Sequence, residues 1–132
     1  MVLIDGDGMI FLDEFLREGE QGGRRAAAQL SAAVYHYIEA ESDIPHGSRV
    51  VCRIYANVRG LGEVLVRTGA IEQIGQFEDF VRGFTRGKTL FDFIDVGAGK
   101  DRADEKIIGE YMGPAGALGC LSYCHSAIAL LY

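Results

Sequence analysis

Asp5 and Asp7 stand one glycine apart in Val2-Leu3-Ile4-Asp5-Gly6-Asp7-Gly8, where an apolar run breaks off into two carboxylates. A buried strand that delivers acids to its C-terminal end reads this way, and in open α/β sheets ligands bind beyond that edge. A second acidic group lies far along the chain. There Phe91-Asp92-Phe93-Ile94-Asp95 leads to Gly99-Lys100-Asp101-Arg102-Ala103-Asp104-Glu105, again an apolar strand followed by the opening of a helix. Mg²⁺ and Mn²⁺ are hard ions that prefer oxygen donors. Two such corners on neighbouring strands therefore predict a divalent-metal site for chemistry on phosphates. The plainer reading of the first corner is a solvated Asp-Gly turn. For the second it is a helix whose cap and first turn are acidic because the helix dipole favours them there. Asp101 and Glu105 are four apart and share one helix face, while Asp104 shares the neighbouring face with Ile107 and Ile108, which places Asp104 at the sheet boundary.

Other residue groups carry less. Arg82-Gly83-Phe84-Thr85-Arg86-Gly87-Lys88-Thr89 ends like a phosphate-binding P-loop, but only three residues separate its glycines where four are needed. It also follows a helix and opens a strand, the reverse of the required context. The segment reads instead as a basic loop: Arg82, Arg86 and Lys88 are placed to meet a nucleic-acid backbone and Phe84 to stack a base, against the plainer reading of an exposed basic turn. Cys120, Cys124 and His125 lack a fourth ligand at any zinc spacing, so no zinc is expected and the cysteines read as core. His36 and His46 have no partner in the sequence.

The elements that would position these residues follow from hydrophobic periodicity. Val2 to Asp5 reads as a buried strand of a parallel sheet, and Met9 to Leu16 as a short helix or turn. Gln21-Gly22-Gly23 reads as a break before a helix from about Arg24 to Glu41, whose Leu30, Ala33, Val34, Tyr37 and Ile38 recur at spacings of three and four. Asp43 to Ser48 is a turn. Arg49 to Ala56 is rich in β-branched and aromatic residues and reads as a second strand. Asn57 to Gly62 reads as a loop, followed by short helices over Glu63 to Arg67 and Phe77 to Phe84. Thr89 to Val96 is a third strand and Asp101 to Tyr111 a helix. Gly113 to Gly119 is a break, and Cys120 to Tyr132 fits either a strand or a helix. The alternation predicts a doubly wound α/β fold. Right-handed crossovers would then bring Asp5, Asp7, Asn57 and Asp95 to one sheet edge.

Composition sets the outer bounds. With 132 residues, 48% of them hydrophobic, the chain is long enough for one domain with a core. A net charge of −6 argues against a purely electrostatic nucleic-acid binder. It does not exclude an acidic site whose metal supplies the positive charge. Three cysteines, Cys52, Cys120 and Cys124, suit a reducing compartment. No signal peptide and no apolar stretch of about 18 residues is present. The expectation is cytosol or nucleus and no membrane.

Three blocks carry a family resemblance: residues 2–11, Tyr55-Ala56-Asn57-Val58-Arg59-Gly60-Leu61, and the long run from Gly83 through Lys88-Thr89-Leu90-Phe91-Asp92-Phe93-Ile94-Asp95 and Asp101-Arg102-Ala103-Asp104-Glu105 to Ile107. Over about residues 2–112 they resemble the uncharacterised domain found upstream of CCCH zinc fingers in fungal proteins, which itself resembles NYN/PIN-like ribonucleases. The resemblance implies a Rossmann-like three-layer fold with a mostly parallel sheet over 1–112 and an Mg²⁺- or Mn²⁺-binding pocket acting on RNA. It implies that Asp5 is the first-strand acid and that Asp104, in an Ala-Asp pair at a helix start, is the second. Asp7 and Asp101 support them as metal ligands, and Asn57 is a polar pocket residue. The departure is at the end: no acid follows Glu110, so the final acid of the family is missing. Residues 113–132 form an atypical apolar segment, and the chain reads as truncated at its C-terminus.

The expected function is metal-dependent RNA processing of the ribonuclease type. Asp5 and Asp104 would hold the metal, and Arg86, Lys88 or Lys100 would position the phosphate backbone. The expected partners are RNA, a second copy of the chain, and a zinc-finger region absent from it. A non-catalytic RNA- or protein-binding module is the alternative. A second alternative is a haloacid-dehalogenase-like phosphatase, which Asp5-Gly6-Asp7-Gly8 resembles with Asp5 as nucleophile and Asp7 as general acid. Against it, Asn57 follows the second strand where that family has Ser or Thr, and Met9 replaces its Thr.

Overall fold

The computed structural model describes residues 1–8, 11–40, 45, 47–99, 101–112 and 121–122. Three strands, β1 (Val2–Asp5), β2 (Cys52–Ala56) and β3 (Phe91–Asp95), form a parallel sheet in the order β3-β2-β1. The two-residue β4 (Leu121–Ser122) pairs in parallel on the far side of β1. Register aligns Asp5 with Tyr55 and Ala56 with Asp95. All strands point the same way, so the ends of β1, β2 and β3 share one edge.

Strand alternation divides the sheet residues between two faces. Ile4, Cys52, Ile54, Ala56, Phe91 and Phe93 bury into the larger core, and Leu3 and Tyr55 into the smaller one with Ala103. The larger core is covered by α1 (Asp13–Arg17), α2 (Gly19–Ala40), α3 (Val58–Arg67) and α4 (Ile74–Gly87), and the smaller by α5 (Arg102–Met112). The result is the expected three-layer, Rossmann-like α/β arrangement. No helix among the described residues is long and apolar enough to cross a membrane.

Phenylalanines dominate the larger core. Phe77, Phe80 and Phe84 recur at helical spacing on α4 and are fully buried. Phe93 meets Phe77 and Phe84 edge-on with ring centroids 6.0 Å apart, and Phe11 meets Phe80 at 4.7 Å. Each such pair contributes about 0.5–1.5 kcal/mol beyond its buried area.

Three expectations are corrected. The Gly22-Gly23 break is the inside of α2: a Cβ on Gly22 would lie 1.8 Å from the Phe15 carbonyl oxygen, and one on Gly23 would lie 2.0 Å from that of Phe80. The glycines are there because backbones touch, not because the helix stops. The supposed loop Asn57 to Gly62 is the cap and first turns of α3, where Asn57 Oδ1 accepts the Gly60 N–H at 3.0 Å. The supposed basic loop around Phe84 is the last turns of α4, and the buried Phe84 ring is not available to stack a base.

Candidate acidic site at the sheet edge

Leu3 and Ile4 bury on opposite faces of the sheet and fix where β1 ends, so that Asp5 emerges at its tip. The ladder runs one residue further, with the Gly6 N–H donating to the Tyr55 carbonyl at 2.7 Å. A Cβ on Gly6 would lie 2.8 Å from Ile54 Cγ2 and 2.9 Å from Ala56 Cβ. Only glycine lets the chain turn this close against β2, and the turn carries Asp7 over the end of that strand. Asp5 Oδ1 closes it by accepting the Asp7 N–H at 3.0 Å.

Asp7 then reaches the start of α3. Its Oδ1 accepts the Asn57 N–H at 3.0 Å. From the other side, Asp95 Oδ1 accepts the Val58 N–H at 3.2 Å and the Gly97 N–H at 3.0 Å. With the Asn57 side chain on Gly60, three backbone donors at the start of α3 are taken by side chains from three strand ends. A helix start leaves such donors without internal partners and favours negative charge, so the carboxylates and the helix hold each other in place.

These contacts engage only the Oδ1 oxygens. The Oδ2 oxygens of Asp5, Asp7 and Asp95 accept no hydrogen bond from a described residue. Partial burial raises the Asp7 carboxyl above the usual aspartate value, and the neighbouring Asp5 charge adds to the rise, while the Asn57 N–H opposes it. Asp5 and Asp7 are adjacent strand-end carboxylates, each with an Oδ2 that accepts no hydrogen bond from a described residue, and they are the pair at this edge that could hold a cation. Mg²⁺ is commonly bound by one or two carboxylates, with water and phosphate oxygens completing its shell. Asp5 and Asp7 fit that pattern. A closed cage is a different matter: among the described residues, no group of three His, Cys, Asp or Glu is arranged to hold a metal ion.

The other expected site residues are distributed unevenly. Asn57 is at the acidic edge and caps α3. Asp101 precedes α5 with a positive φ of 60° and offers its carbonyl to the Glu105 N–H at 2.9 Å. Asp104 is exposed in the first turn of α5. Ala103 and Ile107 meet the sheet instead, and Ile108 is 59% exposed, so the expected face assignment was off by one residue. Arg86 and Lys88 end α4 just before β3 begins, at the opposite edge from Asp5. The four residue steps of β3 alone span about 13 Å. Arg86 also pairs with Glu20 at 3.5 Å. Lys100, Cys120, Cys124, His125 and His46 lie outside the described residues. Cys52 is a core thiol, pushed up to about 12 chiefly by burial.

The sequence puts Asp95 in the second acidic corner without naming it as a metal ligand, and in the structure Asp95 braces the start of α3. Its signal was available, since Asp95 ends β3 as Asp5 ends β1. A family model described as "Domain of unknown function (DUF7923)" matches residues 1–115. No curated protein and no solved structure matches the chain.

Proposed function

The chain belongs to the DUF7923 family, a domain of unknown function, and from that premise we propose that it is a divalent-cation-dependent RNA-processing domain of the ribonuclease type, working in the cytosol or nucleus. The observation that carries this reading is the Asp5–Asp7 pair at the C-terminal edge of a parallel sheet, each acid anchored through Oδ1 with no hydrogen bond from a described residue at Oδ2. The sequence resemblance to the domain upstream of CCCH zinc fingers, and through it to NYN/PIN-like ribonucleases, supports RNA as the substrate.

Asp5 and Asp7 would hold Mg²⁺ or Mn²⁺. Asp104, the acid implied by the resemblance, would act from the first turn of α5. When bound, such an ion lowers the pKa of a coordinated water and offsets charge on the scissile phosphate. The chain's own part is placement. Gly6 sets the turn that presents Asp7, and Asp95 and Asn57 fix the helix against which Asp7 is braced.

The test is cleavage of a single-stranded RNA in Mn²⁺. Activity should be abolished by EDTA and by Asp5→Asn; a variant cleaving at the wild-type rate would remove Asp5 from the mechanism. One observation favours a second reading, a non-catalytic binding module: Asp7 and Asp95 each give an oxygen to the start of α3, a structural use. RNA binding that ignores EDTA and leads to no cleavage would favour that module. Turnover of an aryl phosphate with an acid-labile phosphoaspartate would point to the phosphatase alternative instead.

A further inference from the structure

We propose that Arg59 and Arg102 make the phosphate contacts at the acidic edge, and that Arg86 and Lys88 do not. The inference rests on the reading of that edge as an RNA site. A divalent ion on the aspartates offsets charge at one phosphate, but the neighbouring phosphates of the strand still face an acidic edge, where fixed cations would hold the backbone. Among the described residues, two arginines meet that requirement. Arg59 is the second residue of α3 and Arg102 the first of α5, the two helices that begin at the acidic edge on opposite faces of the sheet.

Helix stability does not account for these arginines. The dipole disfavours a cation in the first turn, where acids are preferred. Nor are they absorbed by ion pairs. Arg59 Nε lies 3.3 Å from Glu63 Oε1, but the two side chains are 84% and 58% exposed, a pairing that water and salt screen readily. Arg102 makes no ion pair with a described residue. Its stem lies over Gly99, where a Cβ would come within 2.9 Å of Arg102 Cγ; Gly99 has a φ of +149°, so the missing side chain is what leaves room for the arginine. Arg59 has a fixed origin as well, because Asp7 and Asp95 hold the backbone of the two residues before it. Arg24, Arg82 and Arg86 pair with Glu20 or Asp79 on α2 and α4.

The experiment is fluorescence anisotropy of a labelled single-stranded RNA in Ca²⁺, which keeps a divalent ion present while slowing turnover, repeated across a salt series. Arg59→Ala and Arg102→Ala should each weaken binding and reduce the slope of log K against log salt by about 0.7, the value for one phosphate contact on a single strand. Arg59→Lys should restore the slope, a readout that a structural role would not move. The Arg86→Ala/Lys88→Ala double variant should bind like wild type. Thermal melts should show all variants folded. If the double variant loses affinity while the first two do not, the proposal is overturned and the RNA reading stands. If wild type binds no RNA at any salt, the RNA reading fails and this proposal fails with it.

Discussion

Adding one methyl group at Gly83 should separate the two longest helices. A Cβ there would lie 2.0 Å from the Glu20 carbonyl oxygen and 2.7 Å from its carbon, all of it α2 backbone that no rotamer change can clear. Reaching ordinary contact at 3.4 Å requires α4 to withdraw by 3.4 − 2.0 = 1.4 Å. A gap of about 0.5–1 Å already forfeits a quarter to a half of the dispersion energy between facing atoms. Because α4 carries Phe77, Phe80 and Phe84, the loss reaches the centre of the larger core. Overpacking costs about 1–3 kcal/mol, and occasionally more; here the obstacle is backbone, which puts Gly83→Ala at or above the top of that range. The gain in helix propensity from Gly to Ala returns about 1 kcal/mol. The expected net loss is therefore about 2 kcal/mol or more, roughly 6–12 °C in Tm for a chain of this size. Gly109→Ala is the matched control: the same substitution inside α5, with nothing within 4 Å of the new Cβ, should stabilise by about 0.5–1 kcal/mol. Urea unfolding followed by far-UV circular dichroism measures both. A Gly83→Ala variant as stable as wild type would mean that α2 and α4 do not cross at these glycines.

Two further outcomes concern the acidic edge. In EDTA, Asp7→Asn should raise stability at pH 7, because the folded state raises the Asp7 carboxyl above its value of 3.8 and ionising it there costs stability. With a raised folded value, the favourable contribution is present below 3.8 and lost as pH rises through the folded value. The advantage of the variant should therefore shrink as pH falls toward 3.8, and melts across that range that show a constant difference would contradict it. Asn57→Ala removes the side chain that accepts the Gly60 N–H and should cost about 1 kcal/mol of stability in a denaturant titration.

The sheet was legible in the sequence because strand signals and burial coincide. Val2 to Asp5 is an apolar run ended by acids, and it forms the strand over just those residues. The gathering of Asp5, Asp7, Asn57 and Asp95 at one edge followed from parallel topology alone, and the hydrogen bonds from Asp7 to Asp5, from Asn57 to Asp7 and from Val58 to Asp95 bear it out. Glycine was the source of most errors. Gly22, Gly23 and Gly60 carry the composition of a break, yet each sits in a helix. Two are there to let another backbone approach, and the third to clear the Asn57 side chain, 2.4 Å from where its Cβ would be. That information is tertiary and has no local signal. Arg86 and Lys88 are close in sequence to β3, but they enter it from the edge opposite the one where Asp95 leaves it.

The most direct test of the acidic edge is a thermal melt of wild type and Asp5→Asn, each in EDTA and in Mn²⁺. A cation that binds only the folded state at about a hundred times its Kd adds roughly 2.7 kcal/mol. The account predicts that Mn²⁺ raises the wild-type midpoint and leaves Asp5→Asn unmoved. A wild-type midpoint that is the same with and without Mn²⁺ would contradict the claim that Asp5 and Asp7 hold a divalent ion.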